Sequence, residues 1–196
     1  MESGTVAFPG ALSYNSGRRT GPELAELLGC PVRIANDGKC AAAAEFWKGA
    51  LKDCISGTVM IFGTGVGGGL IVNRRLVNGA HFTAGEFSFL HHHPADWENI
   101  EELMTRRCST SGLLDHYRQE KGLSPDTPLD GKEFFARYHA GDETAAALLD
   151  RFAFDAAAQI YNMTVLLDLE VVAVGGGISR QNVLIEKIRR SEGAHV

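Results

Sequence analysis

The chain has 196 residues, enough for one sizeable core or two small lobes. Its formal net charge of −5, with basic residues clustered no further than pairs such as Arg74–Arg75 and Arg106–Arg107, excludes a dedicated nucleic-acid surface. No apolar run is long enough to span a membrane, the first ten residues lack the features of a signal peptide, and the four cysteines form no CxxC pair. The expectation is a soluble cytoplasmic protein with reduced thiols.

Taken in chain order, "GTVAFPGALSYNSGRR" reads as an edge strand and a loop. Residues 21–28 carry Pro22 at a first helical position and apolar residues at helical spacing, and Gly29 ends them. Residues 31–35, "PVRIA", read as a buried strand that passes through Asn36-Asp37-Gly38 into an alanine-rich helix over 39–51. A β-rich run over 58–62 follows, then a glycine loop, then strand-like alternation over 70–77. That is a hairpin with glycines at its start.

From Asn99 the pattern turns helical, with three short helices in "NIEELMT", "STSGLLDHYRQEKG" and "DGKEFFARYHAG". One long helix is expected over 142–168, with Leu148, Phe152, Ile160 and Met163 on its buried face. "EVVAVGGGIS" reads as a buried strand running into glycines, and "QNVLIEKIRR" as a closing helix. Strands and helices alternate over much of the chain, so the class is α/β.

The stretch "IFGTGVGGGLIVN" holds five glycines between two apolar runs. Gly63, Gly65 and Gly68 satisfy GxGxxG, but a dinucleotide site needs a helix to open at the last glycine, and a strand-like segment follows instead. No HRD, DFG or APE segment accompanies it, and no GxxxxGK[ST] occurs. A hairpin whose backbone N–H groups face a phosphate remains, with Thr64 adding a hydroxyl; the plain alternative is a bulged hairpin without ligand. Asn36 and Asp37 suit either a helix cap or a base at a strand's end. Gly175-Gly176-Gly177 suit either a tight turn or a ribose lying against the backbone. His91, His92 and His93 are adjacent and cannot easily converge on one metal, so they read as an exposed loop.

Together and in this order, the motifs resemble the ROK family of bacterial sugar kinases and sugar-responsive repressors. "IANDGKCAAAAEFWKGA" resembles its substrate-binding segment, "FGTGVGGGLIVNRRLVNGAHFTAGEF" its long signature with the second phosphate loop, and "VVAVGGGIS" its adenosine segment. The resemblance implies an actin-like ATPase (ribonuclease H-like) fold, mostly the C-terminal lobe. Residues 1–50 would be a remnant of the N-terminal lobe and 51–196 the C-terminal lobe. It implies a sugar bound through Asn36, Asp37 and Glu86, with Asp37 accepting the proton of the attacking hydroxyl. ATP would bind through Gly63, Thr64, Gly65, Gly175, Gly176 and Gly177, accompanied by Mg²⁺.

No structural zinc is expected, because Phe89 stands where many members have a histidine and the family's cysteine cluster is absent. The family's DxGGT phosphate loop is also absent, so half of the phosphate clamp is expected and both ends read as shortened. A homodimer is a further expectation from the family. The alternatives are the sugar-sensing effector domain of a ROK repressor and a non-catalytic remnant.

Overall fold

The structure, a computed structural model, describes residues 4–6 and 13–193. It forms two compact units, Met1–Asp37 and Gly38–Val196. In the smaller unit, Val6 N donates to Arg18 O at 3.0 Å and accepts at its own carbonyl from Gly17 N at 2.8 Å. Helix α1 (Thr20–Leu28) follows and ends where Gly29 takes a left-handed φ of 64°. Among the described residues of this unit, neither expected strand is found. Residues 4–6 are not a strand, and 7–12 lie outside the described residues. Residues 31–35 alternate in exposure as a strand would, but a strand exists only with a ladder partner, and the described residues offer this segment none.

The larger unit is built on four strands: β1 (Gly57–Phe62), β2 (Val66–Val72), β3 (Arg75–Leu76) and β4 (Val171–Gly175). Their order is β3-β2-β1-β4, with β1 antiparallel to β2 and parallel to β4. The period-two alternation of β1 divides the interior. Met60 and Phe62 enter the main core, while Val59 joins Ala42, Leu51, Cys54 and Ile71 in a smaller one. Ala42 belongs to α2 (Asp37–Lys48), which covers that second face. The division between compact units falls at Asp37–Gly38, with α2 from Gly38 onward packed on the sheet. Strand β4 lies at the sheet edge and is half-buried along its length, not buried as expected.

The main core is completed by α3 (Met104–Arg107), α4 (Thr110–Glu120), α5 (Gly131–His139), α6 (Glu143–Leu167) and α7 (Asn182–Glu192). The first of the three expected short helices is instead a 3₁₀ turn at Ile100–Glu102 followed by the single turn of α3. Caps are supplied locally: Ser109 Oγ accepts from Gly112 N at 2.9 Å, and Asp142 Oδ1 from Ala145 N at 3.0 Å. Leu148, Phe152, Ile160 and Met163 of α6 are all buried, and Phe152 meets Phe62 edge-on with centroids 5.2 Å apart. Among the described residues no helix is long and apolar enough to cross a membrane.

The three histidines are not a loose exposed loop. His91 stacks on Trp97 at 5.0 Å and bridges to Leu103, and the His92 ring nitrogens sit 3.3 Å from Glu102 O and 3.2 Å from Asp155 O. His93 alone of the three is exposed.

Asp142 carries a testable consequence. The Tyr117 hydroxyl donates to it at 2.7 Å, and with Ala145 N–H and Lys121 it holds the carboxyl well below the usual carboxylate range. A depressed folded pKa means that the stabilisation is complete above the unfolded carboxylate's value of about 3.9 and is lost as pH falls toward the folded value. Asp142→Ala is expected to lower Tm at pH 6 by about 2–4 °C, the shift that about 1 kcal/mol gives a chain of this size. Melting curves should show that gap closing as pH drops below about 4; a gap independent of pH would contradict the assignment.

Candidate active site

Because β1 and β4 run parallel, their carboxyl ends lie on one edge of the sheet, where open α/β sheets bind ligands. After β1 comes the turn Gly63-Thr64-Gly65, closed by Gly63 N donating to Gly65 O at 2.9 Å, and Thr64 is exposed at its tip. After β4 comes Gly175-Gly176-Gly177, with Gly175 in register with Ile61. Gly176 has φ +98°, and a Cβ there would stand 2.2 Å from Phe62 O, so the second turn lies directly against the first. The amino end of α4 adjoins them, since Thr110 N donates to Gly63 O at 2.8 Å. The Ser88 hydroxyl fixes the other side, 3.0 Å from both Val66 N and Val66 O. The exposed Thr64 hydroxyl and the positive dipole end of α4 favour an anion at these two glycine turns, whose bare backbone allows close approach, while the N–H groups of Gly63, Thr110 and Gly112 are donated within the protein.

The hairpin is shorter at its turn than the sequence reading has it. Gly67, Gly68 and Gly69 are not loop but β2, paired with Ile61, Met60 and Val59. Their bare backbone serves packing. A Cβ on Gly38, in the first turn of α2, would fall 2.5 Å from Gly68 N and 2.6 Å from Gly68 O, so helix and strand meet backbone to backbone.

Asn36 and Asp37 close the smaller unit, Asp37 being the first residue of α2. Glu86 belongs to the larger unit, where it precedes the 3₁₀ turn Phe87–Phe89 and is about a third exposed, at 32%. Beside it stands a residue that sequence reasoning passed over. Lys39 is 3% exposed, donates to Phe82 O at 3.0 Å and Ala84 O at 2.6 Å, and lies 3.7 Å from Glu86 Oε1. The available signal was a lone lysine at the head of an alanine-rich helix, which reads equally well as solvated. Grooves of about 360 and 530 Å³ lie elsewhere in the larger unit, one along Glu143 and Arg151, the other along His91, Trp97 and Asp155. Neither includes a residue expected at the site.

Residues 20–196 match the ROK family. This chain belongs to the ROK family. It is 29% identical over 189 residues to the beta-glucoside kinase of Klebsiella pneumoniae, covering 96% of this chain and 63% of that protein. To the N-acetyl-D-glucosamine kinase of Yersinia enterocolitica it is 30% identical, covering 100% of this chain and 67% of that protein. Among solved structures it is similar to the Lmo2764 protein of Listeria monocytogenes, with a TM-score of 0.87 and 28% identity over 99% of this chain and 67% of that one. The chain thus spans just under two thirds of the length of the beta-glucoside kinases it matches. The fold is α/β of the actin-like ATPase type.

Gly38→Ala tests the close approach of helix and strand. In an ordinary helix interior the change would stabilise by about 1 kcal/mol. Here the added methyl meets the Gly68 backbone, and a loss of about 1–3 kcal/mol is expected in denaturant unfolding. A gain would contradict the packing described.

Proposed function

We propose that this chain carries the nucleotide-binding turns and the catalytic base of an ATP-dependent sugar kinase, moving the γ-phosphoryl group of ATP to a sugar hydroxyl. The observation that carries the reading is the pair of glycine turns at the carboxyl ends of β1 and β4, beside the amino end of α4. The names of the relatives, a beta-glucoside kinase and an N-acetyl-D-glucosamine kinase, support a sugar as the acceptor.

In this reading Gly63, Thr64 and Gly65 hold ATP phosphates, and Gly175, Gly176 and Gly177 lie along the adenosine. Asn36, Asp37 and Glu86 hold the sugar, the Asp37 and Glu86 carboxylates and the Asn36 amide oxygen accepting from its hydroxyls. The hydroxyl oxygen attacks the γ-phosphorus, the bond to the β-phosphate oxygen breaks, ADP leaves, and the hydroxyl proton passes to Asp37. Such transfer needs positioning and charge neutralisation more than a strong base, and an aspartate in the first turn of α2 supplies a well-placed acceptor. Among the described residues no group of three or more His, Cys, Asp or Glu side chains could hold a metal ion by itself. Mg²⁺ would arrive with the phosphates, whose charge it would neutralise, as suits an ion that keeps most of its ligands outside the protein. Residues 51–196 as a C-terminal lobe, a cytoplasmic setting and a homodimer go with the same reading.

ADP release with Mg-ATP across a panel of hexoses, N-acetylhexosamines and β-glucosides tests it. Release that depends on one of these sugars is expected, with a loss of about 10²–10⁴-fold in Asp37→Asn. A sugar that raises Tm without any ADP release would favour a sugar-sensing domain instead.

A further inference from the structure

We infer that Lys39 is a positioning residue for the sugar half of the site: its ammonium latches the loop from Gly79 to Glu86 onto the head of α2 and so sets the Glu86 carboxylate. The word sugar rests on the kinase reading above, whereas the latch rests on the geometry of the larger unit alone.

A lysine is almost never fully buried unless its charge is met, because an unpaired ammonium away from water is strongly disfavoured. Lys39 is buried in this way, at 3% exposure. An ammonium has three donors and no acceptor. Two of them go to loop carbonyls, Phe82 O at 3.0 Å and Ala84 O at 2.6 Å, and Glu86 Oε1 lies 3.7 Å away as the counter-charge. That last distance is an ion pair, not a hydrogen bond.

The loop needs such a hold. From Asn78 to Gly85 it forms neither helix nor strand, and Gly79, Phe82 and Gly85 all take left-handed φ values of 74°, 61° and 82°. Phe82 is the telling one, since a bulky side chain rarely adopts that conformation unless its surroundings impose it. Its carbonyl is one of the two that Lys39 binds. At the other end Gly85 rests on the sheet, where a Cβ would stand 2.9 Å from Gly69 Cα. Glu86 follows directly. Its position is thus set on one side by backbone packing on β2 and on the other by the charge of Lys39. The same helix begins at Asp37, so one short segment of chain bears both the proposed base and the latch of the proposed sugar ligand.

Hydrogen exchange on the full chain, compared between wild type, Lys39→Met and Lys39→Arg, tests the latch without any ligand. Exchange over residues 79–86 is expected to rise about tenfold or more in Lys39→Met, with β1 and α6 unchanged. Wild-type exchange over 79–86 would overturn the inference. Should Lys39→Met fail to fold, Lys39→Arg decides: faster exchange confined to the loop supports the latch, and acceleration spread evenly over the chain overturns it. The positioning role is read separately in kinetics. Lys39→Met should raise KM for the sugar about tenfold and by a larger factor than it lowers kcat, with KM for ATP unaltered; an equal loss in all three would reduce Lys39 to a structural part. Were the wild type to use no sugar, the kinase reading would fall while the exchange data still judged the latch.

Discussion

The backbone-to-backbone approach of α2 and β2 is the constraint on which the rest of the larger unit depends. Gly38 lies on Gly68 closely enough that a Cβ would meet both its nitrogen and its oxygen, and a Cβ on Gly69 would meet the Ala42 methyl at 2.8 Å. Only small residues on both partners allow a helix to lie this flat on a strand. Two features follow from that seating. Lys39 is carried over the 79–86 loop, and Ala42 closes the smaller core. The glycine-dense segment therefore does two kinds of work within a few residues. Gly63 and Gly65 shape a turn that can meet an anion, while Gly68 and Gly69 make room for a helix.

Buried charge is used in the larger unit to tie loops to the frame. Lys39 does this for the loop ending at Glu86. Arg107 does it for the segment that follows, donating from Nε to Asp155 of α6 at 2.8 Å and from Nη1 to Glu102 at 2.9 Å. Burial opposes the guanidinium charge, but the two carboxylates outweigh it and hold the Arg107 pKa above its ordinary value. Its neighbour Cys108 is driven the other way. Full burial, reinforced by the Asp155 charge, pushes the thiol well up, which keeps it protonated and unreactive. Such pairs hold their partners strongly in place because removing one member strands the other away from water.

Much of this arrangement was legible in the sequence because its signals are local. Asp142 and Asp168 bracket α6, Gly29 ends α1, and the β-rich run over 58–62 falls within β1. The Gly63–Gly65 and Gly175–Gly177 turns follow β1 and β4, which lie parallel and side by side. What escaped depends on partners remote in the chain. Residues 31–35 have a strand's alternation in exposure but no ladder among the described residues, Lys39 looks solvated until carbonyls more than forty residues away are found around it, and His92 looks loose until Asp155 is placed. A pattern of period two or 3.6 reports which face of an element is apolar; it is silent about what that face meets.

The central claim is that the turns after β1 and β4 form one nucleotide site. Backbone amide NMR during a titration with Mg-ATP tests it most directly. The account predicts that residues 63–65 and 175–177 respond together, along a single binding curve, with the amino end of α4 among the next most affected. A response confined to one turn, separate curves for the two, or none at either would contradict it.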